Sequence, residues 1–401
     1  MNKFLSEIFH LENITWKHWL FIFSGFILIH TPIFLSDNLN TNLAVHQALG
    51  FLEKRLDIPN YYWDAAVFEG KNYVSFPPFP SIVMLPVVAI FGNHVNSLLV
   101  SILITCLSMF LFEQLLTRII GNEPSKKWIF LGFFFGSGYW ICLLTSHHIN
   151  GFAHIVCTTT LFLLLLELTG KQRTGLVGLY FGLAFLTRQM TIFYGLVILY
   201  YLFTNQTDKR VGFIKLVSAA TSFLAVCTPY FLFNHLRFHN FLDTGYEYLQ
   251  YQSATIHHRV EKFGLFSINY FPSNFYHMFL KGHNLIFKGK DLLSLGGVDQ
   301  FGTSLLMASP FVICSVKARA ERYFLVHFWL AIGFILVGVL LYHNNGWMQV
   351  NAQRFSLDFL PALMVLVALG SKEIPYWLLR AFVIFSIGLN CFSFLVHAVT
   401  S

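Results

Sequence analysis

FLVHFWLAIGFILVGVLL, residues 324–341, runs for 18 positions without Asp, Glu, Lys or Arg. As an α-helix it is about 27 Å long, close to the roughly 30 Å of a bilayer's hydrocarbon core. Trp128–Thr145 is a second such run, and apolar blocks between polar breaks recur along the chain. Of the 401 residues, 56% are hydrophobic and 11% charged, whereas a soluble domain carries about 25% charged residues. Mean hydropathy is +0.61. These values predict an all-α polytopic membrane protein, a single transmembrane domain over residues 1–401. Helices are expected near 18–35, 94–117, 127–145, 150–169, 174–187, 189–204, 212–235, 302–316, 322–342, 354–370 and 375–397, about eleven in all. The fifth and sixth are short, which predicts tilted, broken or re-entrant segments around Arg188.

Lysines and arginines of short loops set the expected orientation. Arg118, Lys126 and Lys127, then Lys171 and Arg173, then Lys209, Arg210 and Lys215, then Lys317, Arg319 and Arg322, and finally Lys372 fall on one side. That side is expected to be the cytoplasm, with the N-terminus there and the chain integral to the cell (inner) membrane. Two longer segments, 36–93 and 236–301, then lie outside; rich in Tyr, Phe, Trp, His and Asn, they are expected to fold as an extracytoplasmic cap, the first with an interfacial helix. Met1–Lys17 is polar and no small-residue cleavage site follows it, so the first helix is expected to remain as an anchor. Six cysteines inside apolar runs, with no CxxC, suggest neither a disulfide frame nor a zinc site. A net charge of +7 scattered over short loops gives no basic stripe, so no nucleic-acid partner is expected.

Candidate chemistry gathers on the outer side. Asp37, in LSDNLNTN, is the first acid after the first helix; it could accept a proton from an acceptor hydroxyl or simply cap a turn with Ser36 and Asn38. GKNYVSFPPFP, residues 70–80, forces an extended approach through Pro77 and Pro78 and starts a helix at Pro80, as either an aromatic anchor or a cavity wall. His147 and His148 occupy a short loop and could line a headgroup pocket. Arg188 is the one charge in a long apolar stretch, which by default marks a site with an anionic partner. Asn234, His235, Arg237, Asp243 and Tyr246 open the second long loop; Trp347, Gln349, Gln353, Arg354 and Asp358 precede the tenth helix. Arg354 and Asp358, four apart, either pair on one helix face or hold Arg354 ready to grip a phosphate.

These motifs, in this order and topology, resemble the GT-C glycosyltransferases, in particular the bacterial relatives of protein mannosyltransferases and of aminoarabinose lipid A transferases. The resemblance rests on LSDNLNTN, on GKNYVSFPPFP, on Asn234, Arg237, Phe238, Gly245 and Tyr246, and on Gly346, Trp347, Gln349, Arg354, Phe355, Asp358 and Pro361. It implies inverting transfer of a sugar from a polyprenyl-phosphate donor to a lipid, glycan or protein acceptor on the outer face, with membrane lipids as further partners. Asp37 would be the general base. Arg188, Arg354 and Arg237 would hold the donor phosphate, and Tyr73, Ser75, Pro77, Pro78, His147, His148, Tyr246, Trp347, Gln349, Gln353 and Asp358 would line the cavity. Many members carry two adjacent acids in the first loop; here Asn38 follows Asp37, and Asp64 or Glu69 is the candidate second carboxylate. A divalent cation, Mg or Mn, is left open, as are two other functions: a transporter or flippase for a lipid-linked sugar, and an inactive GT-C-like scaffold.

Overall fold

A computed structural model describes Ser24 and residues 42–400 apart from Trp63, Gln252, Trp347 and Met348. Asp37 and the helix expected at 18–35 lie outside the described residues. In chain order the elements are α1 (Leu43–Leu52), β1 (Ala65–Phe68), β2 (Lys71–Val74), α2 (Phe79–Phe91), α3 (Ser97–Ile120), α4 (Ser125–Phe135), α5 (Tyr139–Leu144), α6 (Ile149–Leu168), α7 (Thr174–Phe185), α8 (Gly195–Leu199), α9 (Lys209–Phe238), α10 (Ala254–Phe263), α11 (Phe271–Phe275), β3 (Leu285–Lys288), β4 (Ser294–Val298), α12 (Leu305–Ala308), α13 (Arg322–Leu341), α14 (Leu360–Gly370) and α15 (Tyr376–Thr400). Helix starts follow local chemistry: the side chains of Asn96, Asp208 and Glu321 accept hydrogen bonds from the first free amides of α3, α9 and α13.

Among the described residues, α3, α6, α9, α13 and α15 are long and apolar enough to cross a membrane. Their burial separates two roles. The most apolar stretch of α6 is 83% buried against other helices and that of α9 only 17%, so α6 is the central pillar and α9 turns most of its surface to lipid. Phe112, Phe133, Phe134, Tyr139 and Phe162 interlock beside α6 in a continuous aromatic core.

Several expected helices are broken, each for a local reason. The one expected at 127–145 divides into α4 and α5 at Gly136-Ser137-Gly138, where the freed Gly136 carbonyl accepts from Ser309 Oγ at 2.6 Å. Residues 189–204 form one helical run whose pitch changes, with a 3₁₀ segment Gln189–Tyr194, α8, and a π segment Tyr200–Thr204. Pro310 ends α12 and opens a 3₁₀ run to Lys317.

The two long loops pack on each other. Strands β1 and β2 form an antiparallel hairpin, Ala65↔Val74 to Phe68↔Lys71, closed by Glu69 and Gly70, both at positive φ as a two-residue turn of this hand requires. From the second loop, Leu249 bridges to Ala66, Tyr248 lies over Phe68 with ring centroids 4.7 Å apart, and Tyr246 faces Phe76 at 6.1 Å. Strands β3 and β4 make a second hairpin against α15, where His283 Nε2 meets Ser393 Oγ at 2.8 Å.

Candidate active site

The helical run ending α7 stops at Phe185, and Arg188 follows in extended backbone, φ −144°. Its side chain crosses to the segment before α14: Nε donates to Asp358 Oδ1 at 2.9 Å and Nη2 to Oδ2 at 2.7 Å. Asp358 is wholly buried, and His154 of α6, 1% exposed, brings Nδ1 to 3.5 Å from the same Oδ1. The Arg354–Asp358 pair that a spacing of four would allow on a helix does not form. Residues Arg354–Asp358 are a 3₁₀ turn rather than α-helix, and with three residues per turn positions four apart point about 120° from each other. Asp358 therefore turns to Arg188.

Arg354 is left as the unmatched cation. Among the described residues its Nε has no hydrogen-bond partner and no carboxylate pairs with its guanidinium, which lies 5.4 Å from the Phe355 ring. Arg188, Asp64 and Tyr342 are within electrostatic reach of it. Its backbone is tightly placed: Gln349 Oε1 accepts from Arg354 N at 2.7 Å, and Gln349 and Gln353 both donate to the Phe301 carbonyl, at 3.3 and 3.0 Å. Gln349 and Gln353 thus act as a clasp between this segment and the second loop. Gly302 permits the clasp, since a Cβ there would sit 2.1 Å from the Ala352 carbonyl oxygen.

The proline segment reaches the same place. Tyr73, Ser75, Pro77 and Pro78 are buried, and Phe79 N donates to Leu186 O at 3.1 Å, two residues before Arg188. Ser75 Oγ is buried without a partner among the described residues. Across from it, Tyr246 follows Gly245 at φ +82° and lies within electrostatic reach of Arg188 and Asp64. Asp64 is exposed and accepts from Asn150 Nδ2 at 2.9 Å. His147 is buried and His148 half-buried, their rings 4.2 Å apart just before α6. Trp347, like Asp37, lies outside the described residues. Glu69 is at the tip of the β1–β2 hairpin, beside His239.

Arg237 stands apart from this group. It is 1% exposed; Nη1 donates to the Val74 carbonyl, Nη2 to Asn234 Oδ1 at 2.8 Å, and the guanidinium is 3.8 Å from the Phe233 ring centroid. These bonds tie α9 to β2. Arg237→Met leaves the Val74 carbonyl buried and unpaired, at a cost of about 1–3 kcal/mol. The expected result is faster limited proteolysis within residues 60–75; an unchanged cleavage pattern would remove Arg237 from this role.

Four buried groups escaped the sequence reading. His154 was the most legible, an ionisable side chain inside the apolar run of α6. Tyr251, His343 and Asn345 gave no signal in loop sequence, yet Tyr251 Oη, both ring nitrogens of His343 and Asn345 Nδ2 are buried without partners among the described residues. The Tyr251 and His343 rings are 5.3 Å apart. Burial pushes the His343 imidazole down to about 4, so near neutral pH it is uncharged and offers one donor and one acceptor. Among the described residues no three of His, Cys, Asp and Glu come together as metal ligands. Around the site Asp358 is committed to Arg188, which leaves Asp64 as the carboxylate among the described residues. One described carboxylate is not a divalent-cation site by itself, and no step below is routed through such an ion.

The bundle and its cap define the class: a polytopic helical membrane protein, with a fold shared by a solved membrane protein. One solved structure it is similar to is ArnT from Cupriavidus metallidurans in the apo state, with a TM-score of 0.53 and 14% identity over 90% of this chain. The chain spans 60% of that ArnT chain's length. ArnT from the same organism bound to undecaprenyl phosphate matches with a TM-score of 0.49 and 13% identity, over 96% of this chain and 75% of that one. No family model and no curated relative matches the sequence.

Proposed function

We propose that the chain is an inverting glycosyltransferase that takes a sugar from a polyprenyl-phosphate donor on the extracytoplasmic face. The observation that carries this reading is the half-buried Arg354 guanidinium, which has no carboxylate partner among the described residues, beside an Arg188 whose orientation a buried carboxylate holds, under a cap of loop residues. A partly desolvated cation without a counter-charge is costly, and an anionic ligand offsets that cost. In the proposed reaction a base takes the proton from the acceptor hydroxyl and the acceptor oxygen attacks C1 of the sugar. The C1–O bond to phosphate breaks, and its electron pair leaves with the phosphate. Arg354 and Arg188 stabilise the charge growing on that leaving group. Asp37 is the proposed base, with Asp64 as the second acid. Tyr251, His343 and Asn345 have the ring surfaces and free polar atoms that sugar hydroxyls engage.

The test is transfer by purified protein in vesicles supplied with a polyprenyl-phosphate-linked sugar extract, read as release of polyprenyl phosphate. Asp37→Asn is expected to lower release at least 100-fold while the protein stays inserted; full activity would remove Asp37 from the role. Lipid movement across the vesicle without release would favour the transporter reading, and detectable transfer would exclude a scaffold.

A further inference from the structure

A second charged recess lies far from the candidate active site. Asn150 of α6 touches Asp64, whereas Glu167 is at the other end of the same helix, about 25 Å away at 1.5 Å per residue. There the last turns of α3 and α6 and the start of α7 enclose a cavity of about 330 Å³ lined by Arg118, Leu163, Leu166, Glu167, Arg173 and Tyr180, with Lys171 at its rim.

The charges in it do not cancel. Glu167 is 7% exposed at its side chain and accepts three bonds from Arg173, from the backbone N at 2.8 Å, Nε at 3.1 Å and Nη2 at 2.7 Å. That pair is neutral as a unit. Arg118 and Lys171 have no carboxylate partner among the described residues, so the recess carries two uncompensated positive charges. Arg118 is held in place, its Nη1 donating to the Leu166 carbonyl over Gly170, where a Cβ would fall 2.3 Å from that nitrogen. Leu163, Leu166 and the Tyr180 ring are half-buried and give the recess an apolar side.

We propose that this recess binds the headgroup phosphate of an anionic phospholipid. A fixed guanidinium and a mobile ammonium grip a phosphodiester, and the leucines and tyrosine support the first methylenes of its chains. Basic recesses between membrane helices suit such headgroups. The alternative, that Arg118 and Lys171 serve only the negative ends of α3 and α6, requires no cavity and no lipid preference. The proposal is independent of the glycosyltransferase reading.

The test uses the full chain in detergent, with dioleoylphosphatidylglycerol, dioleoylphosphatidylcholine and inorganic phosphate as probes, read by native mass spectrometry. Retention of phosphatidylglycerol over phosphatidylcholine is expected. Arg118→Gln/Lys171→Gln should weaken it at least fivefold, while Arg210→Gln/Lys215→Gln, which also removes two positive charges from α9 near its start, should leave it unchanged. Gly170→Ala keeps every charge but displaces the Arg118 guanidinium, and is expected to weaken retention as well, so a misfolded double variant does not remove the test. Equal weakening by both double variants, or no preference for phosphatidylglycerol, overturns the site. Displacement of the lipid by millimolar inorganic phosphate overturns the lipid as its occupant in favour of a free phosphate.

Discussion

Arg354→Gln is expected to abolish sugar transfer, about 10²–10³-fold, while leaving the folded protein as stable as before or more so. The loss follows from the position of the side chain. Arg354 is the cation at the site without a carboxylate partner among the described residues, and removing one donor that faces a developing anion costs about 3–4 kcal/mol of barrier. Retention of the proposed polyprenyl-phosphate ligand, measured by native mass spectrometry, should weaken in parallel. The stability expectation runs the other way because a half-buried guanidinium with no carboxylate partner among the described residues is a burden on the folded state when no ligand is present. Arg354→Lys keeps the charge but not the two-pronged geometry, and should recover only part of the rate. A Gln variant that unfolds, or that transfers at the wild-type rate, removes Arg354 from the role.

Asp358→Asn is expected to do the opposite to stability. Its carboxylate is 0% exposed and takes both prongs of Arg188, 17% exposed at its side chain. Taking one partner from a buried ion pair leaves the other charge uncompensated, at about 3–5 kcal/mol. Here two guanidinia would then face each other at depth. The unfolding midpoint of purified protein should fall and folded protein in membranes should drop several-fold. Arg188→Gln added to Asp358→Asn should restore part of that loss, a coupling of about 0.5–3 kcal/mol in a double-mutant cycle. A single Asn variant as stable as the wild type would show that the pair contributes nothing to the fold.

These two variants separate residues that look equivalent in the chain. In GWMQVNAQRFSLDFLP, Arg354 and Asp358 sit at the spacing of a helical ion pair, and a helix reading couples them. The 3₁₀ turn rotates them apart, and Asp358 finds its partner 170 positions away. Arg237 and Arg188 are likewise two arginines beside apolar runs. Only three-dimensional contacts show that Arg237 is consumed by Val74 and Asn234 while Arg188 meets the buried carboxylate. GKNYVSFPPFP was legible as a turn into a helix because prolines act locally; that it lies against Leu186, beside Arg188, was not.

The sequence by itself determined that this is a polytopic helical membrane protein, and placed most of the helices to within a few residues. Hydropathy and helix breaking are properties of neighbouring residues, and backbone groups within a bilayer must be satisfied inside each segment. It also singled out Arg188 and Arg354, because charge among apolar residues is conspicuous in one dimension. Only the tertiary structure decided which charge pairs with which, which arginine is left without a carboxylate among the described residues, and that the two long loops pack on each other. Those are matters of long-range packing and of the pitch of a single turn, and desolvation makes the pairing unforgiving: at depth each charge needs a partner, and contacts between distant segments decide which one it gets.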